Sequence, residues 1–310
     1  MVLVGWCKET SVSIENDTFD SNFAVQTLRG SVLYFSNVWN ISITNNSSFC
    51  NNKGVEGTVY CSNCTQASIM DSSNFENNSV SGNGGVLYLQ DCPFSLSSST
   101  FSNNTANLGG SLSFTSSKPT STLSISSSNF FQNNAVNGGA LYLNISQKTS
   151  TFHSPLLSLK NSTFSLNSAT SKGGSVFANF DSLNFFSSST TLLNLCDLHF
   201  NKSISSDQGG ALFLQFPMWM ENTQKLLNIS SCFFSTCCSK NNGSAISLHD
   251  TLSQVSEDMN LSFSRRQHLQ TLQHNRGPWY SILEQRSQSQ FERTEATTHQ
   301  LENSKHFCRL

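Results

Sequence analysis

At 310 residues, with a formal net charge of −2, a pI near 6.4 and only 12% charged residues, the chain lacks the basic stripe expected of a nucleic-acid-binding domain. No run of 18 apolar residues occurs, so the sequence contains no transmembrane helix. Ser, Asn and Thr supply the polar surface, a composition that tends toward disorder unless apolar residues recur at regular places.

They do recur. After an irregular lead-in over residues 1–10, the first 250 residues carry eight copies of one pattern, clearest at Gly138-Gly139-Ala140-Leu141-Tyr142-Leu143. The other copies begin at Gly30, Glu56, Gly84, Gly109, Gly173, Gly209 and Gly243, at intervals of 25 to 36 residues. Below the glycines lies an all-aliphatic column (Leu33, Val59, Leu87, Leu112, Leu141, Val176, Leu212, Ile246), then a mostly aromatic one, then another apolar one. Such alternation predicts a strand whose apolar columns face inward. A strand that returns at this period runs parallel to its copies, because hairpins would reverse its direction.

A second anchor precedes each glycine strand: Phe19, Phe49, Phe75, Phe101, Phe131, Phe164, Phe200 and Phe234. In six of these eight copies an Asn stands three residues later (Asn22, Asn52, Asn78, Asn104, Asn134, Asn167). Five or six residues before each Phe, an aliphatic residue marks another short strand: Ile14, Ile43, Ile69, Leu96, Ile125, Leu159, Leu195 and Ile229. Asn and Gly enter left-handed backbone most easily, so both fixed positions are expected to place sharp bends, and stacked Asn side chains also form hydrogen-bonded ladders. The fold class implied is all-β, a right-handed parallel β-helix (solenoid) of about eight coils, each adding ~4.8 Å along the axis.

From Thr115 onward the repeats lengthen after the glycine strand, over Thr115 to Leu123, Asn144 to Leu156, Asn179 to Leu192 and Gln215 to Leu226. Insertions at one point of each repeat project from one side of the scaffold, where binding surfaces arise. The repeat domain is assigned to residues 1–250. Residues 251–310 hold 13 of the 36 charged residues and four of the seven His, with neither repeat motif. This second segment reads as a cap, a disordered or partly helical tail, or a stretch foreign to the repeat such as a misread frame. A poorly ordered tail is the preferred reading, whereas a cap would bury Leu261, Phe263, Trp279 or Leu283 against the last coil.

Phe-x-x-Asn alternating with Gly-Gly-Ala-aliphatic, as in Phe131-Gln132-Asn133-Asn134 followed by Gly138-Gly139-Ala140-Leu141, resembles the repeat of the chlamydial polymorphic outer-membrane proteins. Similar repeats occur in surface-protein families of protists, within the wider pectin-lyase-like β-helix group. The resemblance covers about Ser11 to Asp250. It implies an adhesin-like passenger domain, extracellular or at the cell surface. Two departures stand out: the copies at Phe200 and Phe234 lack the Asn, and no C-terminal outer-membrane barrel follows.

Enzymes of the pectin-lyase-like group need converging carboxylates, as acid and base or as Ca²⁺ ligands. Here Asp71, Asp91, Asp181, Asp197, Asp207 and Asp250 are scattered, and none of the outward strand positions is Asp, Glu, His, Lys or Arg. The expectation is therefore no catalytic residue, no metal and no cofactor, with a polysaccharide lyase or glycoside hydrolase as the alternative. Among ten cysteines, Cys61-Ser62-Asn63-Cys64 is a lone CxxC with no second pair, which does not point to a metal. Pairing of Cys61 or Cys64 with Cys50 or Cys92 in adjacent coils and free buried thiols both remain open. The candidate binding residues are the outward aromatics Tyr34, Tyr60, Tyr88, Tyr142, Phe177 and Phe213, suited to sugar rings or to a surface protein. The plainer reading is that aromatics favour strands and stack on one another.

Overall fold

The computed structural model describes residues 3–6, 10–24, 29–66, 68–118, 120–146, 156–180, 193–216, 227–250 and 262–263. Three long sheets, every ladder parallel, run along the coil axis. The glycine-led sheet has nine strands: Leu3–Trp6, Leu33–Ser36, Val59–Ser62, Leu87–Gln90, Leu112–Ser116, Leu141–Ile145, Val176–Asn179, Leu212–Phe216 and Ile246–Asp250. An aliphatic sheet of nine runs from Ser11–Glu15 to Ser262–Phe263, and a phenylalanine sheet of eight runs from Thr18–Asp20 to Phe233–Ser235. One coil visits the aliphatic, phenylalanine and glycine-led sheets in turn. The molecule is a right-handed parallel β-helix, as the period demands.

Register follows the motif columns. Leu87 pairs with Leu112 and Leu112 with Leu141, so residues far apart in sequence become axial neighbours. In the phenylalanine sheet, ring centroids of successive coils lie 4.6 to 5.1 Å apart with the rings near parallel, from Phe19 to Phe234. The core is this unbroken ring stack packed against the inward aliphatic columns of the other two sheets. It is one continuous hydrophobic column, so each coil buries its apolar face only against its neighbours.

Five places depart from the sequence reading. Phe130, not Phe131, joins the stack, 4.9 Å from Phe101 and 4.8 Å from Phe164. In consequence Asn133 rather than Asn134 lies inside, because shifting a strand by one residue exchanges its faces. In the aliphatic sheet Met70 is buried and pairs with Leu96, while Ile69 faces outward at 48% exposure. Residues 3–6 are not irregular but form a strand paired with Leu33–Ser36. In the coil of Phe49, Gly57 and not Glu56 takes the left-handed bend, so that turn is one residue shorter than its neighbours.

The Asn three residues after Phe does not bend the chain. The bend falls one residue earlier, at Asn51, Asn77 and Asn103 (φ 55 to 57°), and in later coils at Gln132, Leu166, Lys202 and Thr236. Asn52, Asn78, Asn104, Asn133 and Asn167 are instead buried in a ladder. Asn78 Nδ2 donates to Asn104 Oδ1 at 3.1 Å and to the Phe49 carbonyl at 2.8 Å, and each neighbouring Asn repeats the pair of bonds. Each amide thereby satisfies a carbonyl that the turn would otherwise leave unpaired inside. The ladder ends where the motif lapses: Asn167 donates to Ser175, whose hydroxyl meets Ser203 at 2.7 Å, and Cys237 occupies the last position.

The first glycine of each pair is left-handed, as at Gly109 (φ 63°). Its partner Gly110 keeps an ordinary φ, but a Cβ there would strike the Gly139 carbonyl of the next coil. One glycine makes the bend and the other permits the close stacking of coils.

All four inserted segments leave the chain at one corner, between a glycine-led strand and the following aliphatic strand. Where they leave, the coil gains an inward position, filled by Ile145, Phe180 and Phe216, with the last two rings 5.1 Å apart. Most of the inserted segments themselves, and all of the second segment apart from Ser262–Phe263, lie outside the described residues. The strand Ser262–Phe263 pairs with Asn228 and Ile229, so sheet pairing reaches into that segment. Leu261, Trp279 and Leu283 of the cap reading are outside the described residues.

Candidate binding face of the glycine-led sheet

The outward face of the glycine-led sheet carries the six candidate aromatics, and strand register lines them up along the axis. They fall into two runs. Tyr34, Tyr60 and Tyr88 form the first, with centroid distances of 5.2 and 5.0 Å, the second contact being edge-on at 62°. Tyr142, Phe177 and Phe213 form the second, stacked at 5.1 Å in both steps. Between the runs Ser113 pairs with Tyr88 on one side and Tyr142 on the other, fully buried, its hydroxyl without a hydrogen-bond partner among the described residues.

Not all six rings are open. Tyr34, Tyr88 and Tyr142 are half-buried, but Tyr60, Phe177 and Phe213 are buried. Arg29 lies over the Tyr60 ring at 5.3 Å, donates to its hydroxyl at 2.9 Å and pairs with Glu56 at 3.2 Å. Lys172 sits 4.7 Å above Phe213. Both cations come from the position just before a left-handed glycine, outside the strand motif. Burial raises the Tyr60 phenol to about 12, against the opposing pull of Arg29, and burial also raises that of Tyr142. These two hydroxyls therefore stay protonated, as donors, at neutral pH.

A second outward column, absent from the sequence reading, runs two residues further along each strand. It comprises Ser36, Ser62, Gln90, Thr115, Asn144, Asn179, Gln215 and His249. Its members bond to each other and to the rings: Asn179 Nδ2 donates to Asn144 Oδ1 at 3.1 Å, and the Tyr60 hydroxyl donates to Gln90 Oε1 at 3.0 Å. The signal was available in the sequence, since every copy carries a polar residue at this spacing. It lies one residue beyond the four positions after the glycines that define the motif. His249 also corrects the expectation that no outward strand position is ionisable; the last strand continues to Asp250, which turns His249 outward, 6.1 Å from the Phe213 ring.

Among the described residues, carboxylates do not converge on this face. Asp71 is held by Ser97 and Ser72, Asp91 by Ser117, Asp20 by Asn51 and Asp207 by Asn241. Hydroxyls donating to Asp71, chiefly that of Ser97, hold its carboxyl below the usual range. Among the described residues no group of three or more His, Cys, Asp or Glu side chains is arranged to hold a metal ion.

One coil contains the deciding segment, from the turn at Ser72 through stacked Phe75, ladder Asn78 and the Gly84-Gly85 bend to outward Tyr88 and Gln90. Residues 72–90 match the model of the Chlamydia polymorphic membrane protein (Chlamydia_PMP) repeat. The other coils set the same columns in register with this repeat, including those at Phe200 and Phe234 where the Asn is replaced. No curated protein and no solved structure matches the chain.

Proposed function

We propose that this chain is a non-catalytic, adhesin-like scaffold of the cell surface or extracellular space, which binds a glycan along the glycine-led sheet. The observation that carries the reading is the pairing of two outward columns, aromatic rings beside amides and hydroxyls. Rings offer flat apolar faces to the C–H side of a sugar, and Gln90, Asn144 and Asn179 offer both donors and acceptors to its hydroxyls. The half-buried Tyr88 and Tyr142, two coils apart and so about 10 Å from each other along the axis, centre the open part of the face. Surface location rests on the repeat at residues 72–90, whose family is named for membrane proteins.

A polysaccharide lyase or hydrolase is less well supported. The carboxylates named above lie in separate coils or, for Asp71 and Asp91, at the ends of different strands of one coil, and are occupied by hydroxyls and amides, without the paired arrangement that acid–base cleavage uses. Screening the full chain on a glycan array tests the proposal directly. A retained glycan should bind about five- to tenfold more weakly to Tyr142→Ala, one stacked ring being worth about 1 to 1.5 kcal/mol. Equal binding by the variant, or cleavage of the glycan by the wild type, overturns the reading. Capture of a defined surface protein with no glycan retained assigns the face to a protein partner instead.

A further inference from the structure

Three buried thiols meet where two successive coils turn away from the glycine-led sheet. Cys61 faces inward on the strand Val59–Ser62, while Cys64 and Cys92 occupy the same corner in adjacent coils. Their sulfurs lie 2.7 Å apart, and the Cys64 backbone N–H donates to Cys92 Sγ at 3.1 Å. Optimal unbonded contacts lie at about 3.5–4.0 Å, so these sulfurs are closer than packing alone would bring them. Coil stacking explains the approach: equivalent positions in adjacent coils are about 4.8 Å apart, within the Cα separation of about 4.4–6.8 Å that a disulfide spans.

We propose that Cys64 and Cys92 are a disulfide-forming pair that ties adjacent coils together. Cys64 is the attacking sulfur. Hydrogen bonds from Cys61 and Cys92 favour its thiolate and lower its pKa, whereas burial raises that of both neighbours. With a small-molecule disulfide such as oxidised glutathione as oxidant, the Cys64 thiolate attacks one glutathione sulfur and expels the other as a thiolate. Cys92 then loses its proton to that leaving thiolate and attacks Cys64 Sγ in the mixed disulfide, expelling the second glutathione. Two electrons pass to the reagent, which leaves as two reduced thiols, and one S–S bond joins the coils. Cys61 remains a buried thiol. The pair stands apart from the outward face, so the proposal does not depend on what that face binds.

The test uses the full chain equilibrated with oxidised glutathione, quenched in acid, alkylated under denaturing conditions and digested for mass spectrometry. The expected product is one linked pair of peptides containing Cys64 and Cys92, two hydrogens lighter than the reduced pair and separated by reductant, with Cys61 recovered alkylated. In Cys92→Ser that linked species should be lost and Cys64 should carry glutathione. Recovery of wild-type Cys64 and Cys92 both alkylated, a link from Cys61 to either, or stoichiometric zinc bound to three reduced thiols would each overturn the proposal.

Discussion

Two aromatic columns run the length of the coils, and their spacings are nearly the same. The phenylalanine stack has steps of 4.6 to 5.1 Å and the glycine-led face 5.0 to 5.2 Å. Their surroundings differ. From Phe49 to Phe234 the first column is buried without a break, whereas the second is interrupted at Ser113 and mixes buried with half-open rings. Stacking distance is therefore set by the pitch of the coil and says little about role. Burial and the partners of each ring separate a column that holds the fold from one that lines an outward face.

The largest test of this contrast is Phe101→Ala, which removes a ring from the middle of the inner stack and should cost about 3–5 kcal/mol in denaturant unfolding. Next is Asn104→Ala. It strips the Phe75 carbonyl and two neighbouring amides of partners inside the coil, an expected loss of about 1–3 kcal/mol by the same measurement. On the outer column Tyr142→Ala should lower stability by only about 1 kcal/mol, from the lost ring contact with Phe177. Equal costs for Phe101→Ala and Tyr142→Ala would break the contrast. A separate effect is confined to alkali. Tyr60 ionises at about 12 in the folded chain against 10 in the unfolded one, so its contribution is complete below pH 10 and lost as the pH climbs from there through 12. Urea midpoints followed over that range should fall less steeply in Tyr60→Phe.

The period, the parallel direction and the register of the glycine-led strands were all legible in the sequence, because a glycine bend followed by a small and an aliphatic residue leaves few alternatives. Doubled residues were the source of error. Phe130-Phe131 and Asn133-Asn134 each fit the pattern in two registers, and only the five-residue spacing from Ile125, shared with Leu96 to Phe101, selects the first. Likewise Asn51-Asn52, Asn77-Asn78 and Asn103-Asn104 hide which Asn bends and which bonds. Leu166-Asn167 breaks the tie, since a leucine sits in the left-handed position while the asparagine keeps its place in the ladder. The degree of cover over the outer rings was not legible, because Arg29 and Lys172 reach them from positions the motif leaves free.

The single corner from which every insertion departs has a consequence for how such a chain can change. Leu141 and Val176 remain paired, as do Phe164 and Phe200, although the segments joining them are far longer than those of the first coils. Added length there shifts no column and breaks no ladder. Foreign peptides, epitopes or reporter tags grafted at this point should be displayed in a row at the coil pitch, leaving the supporting architecture untouched.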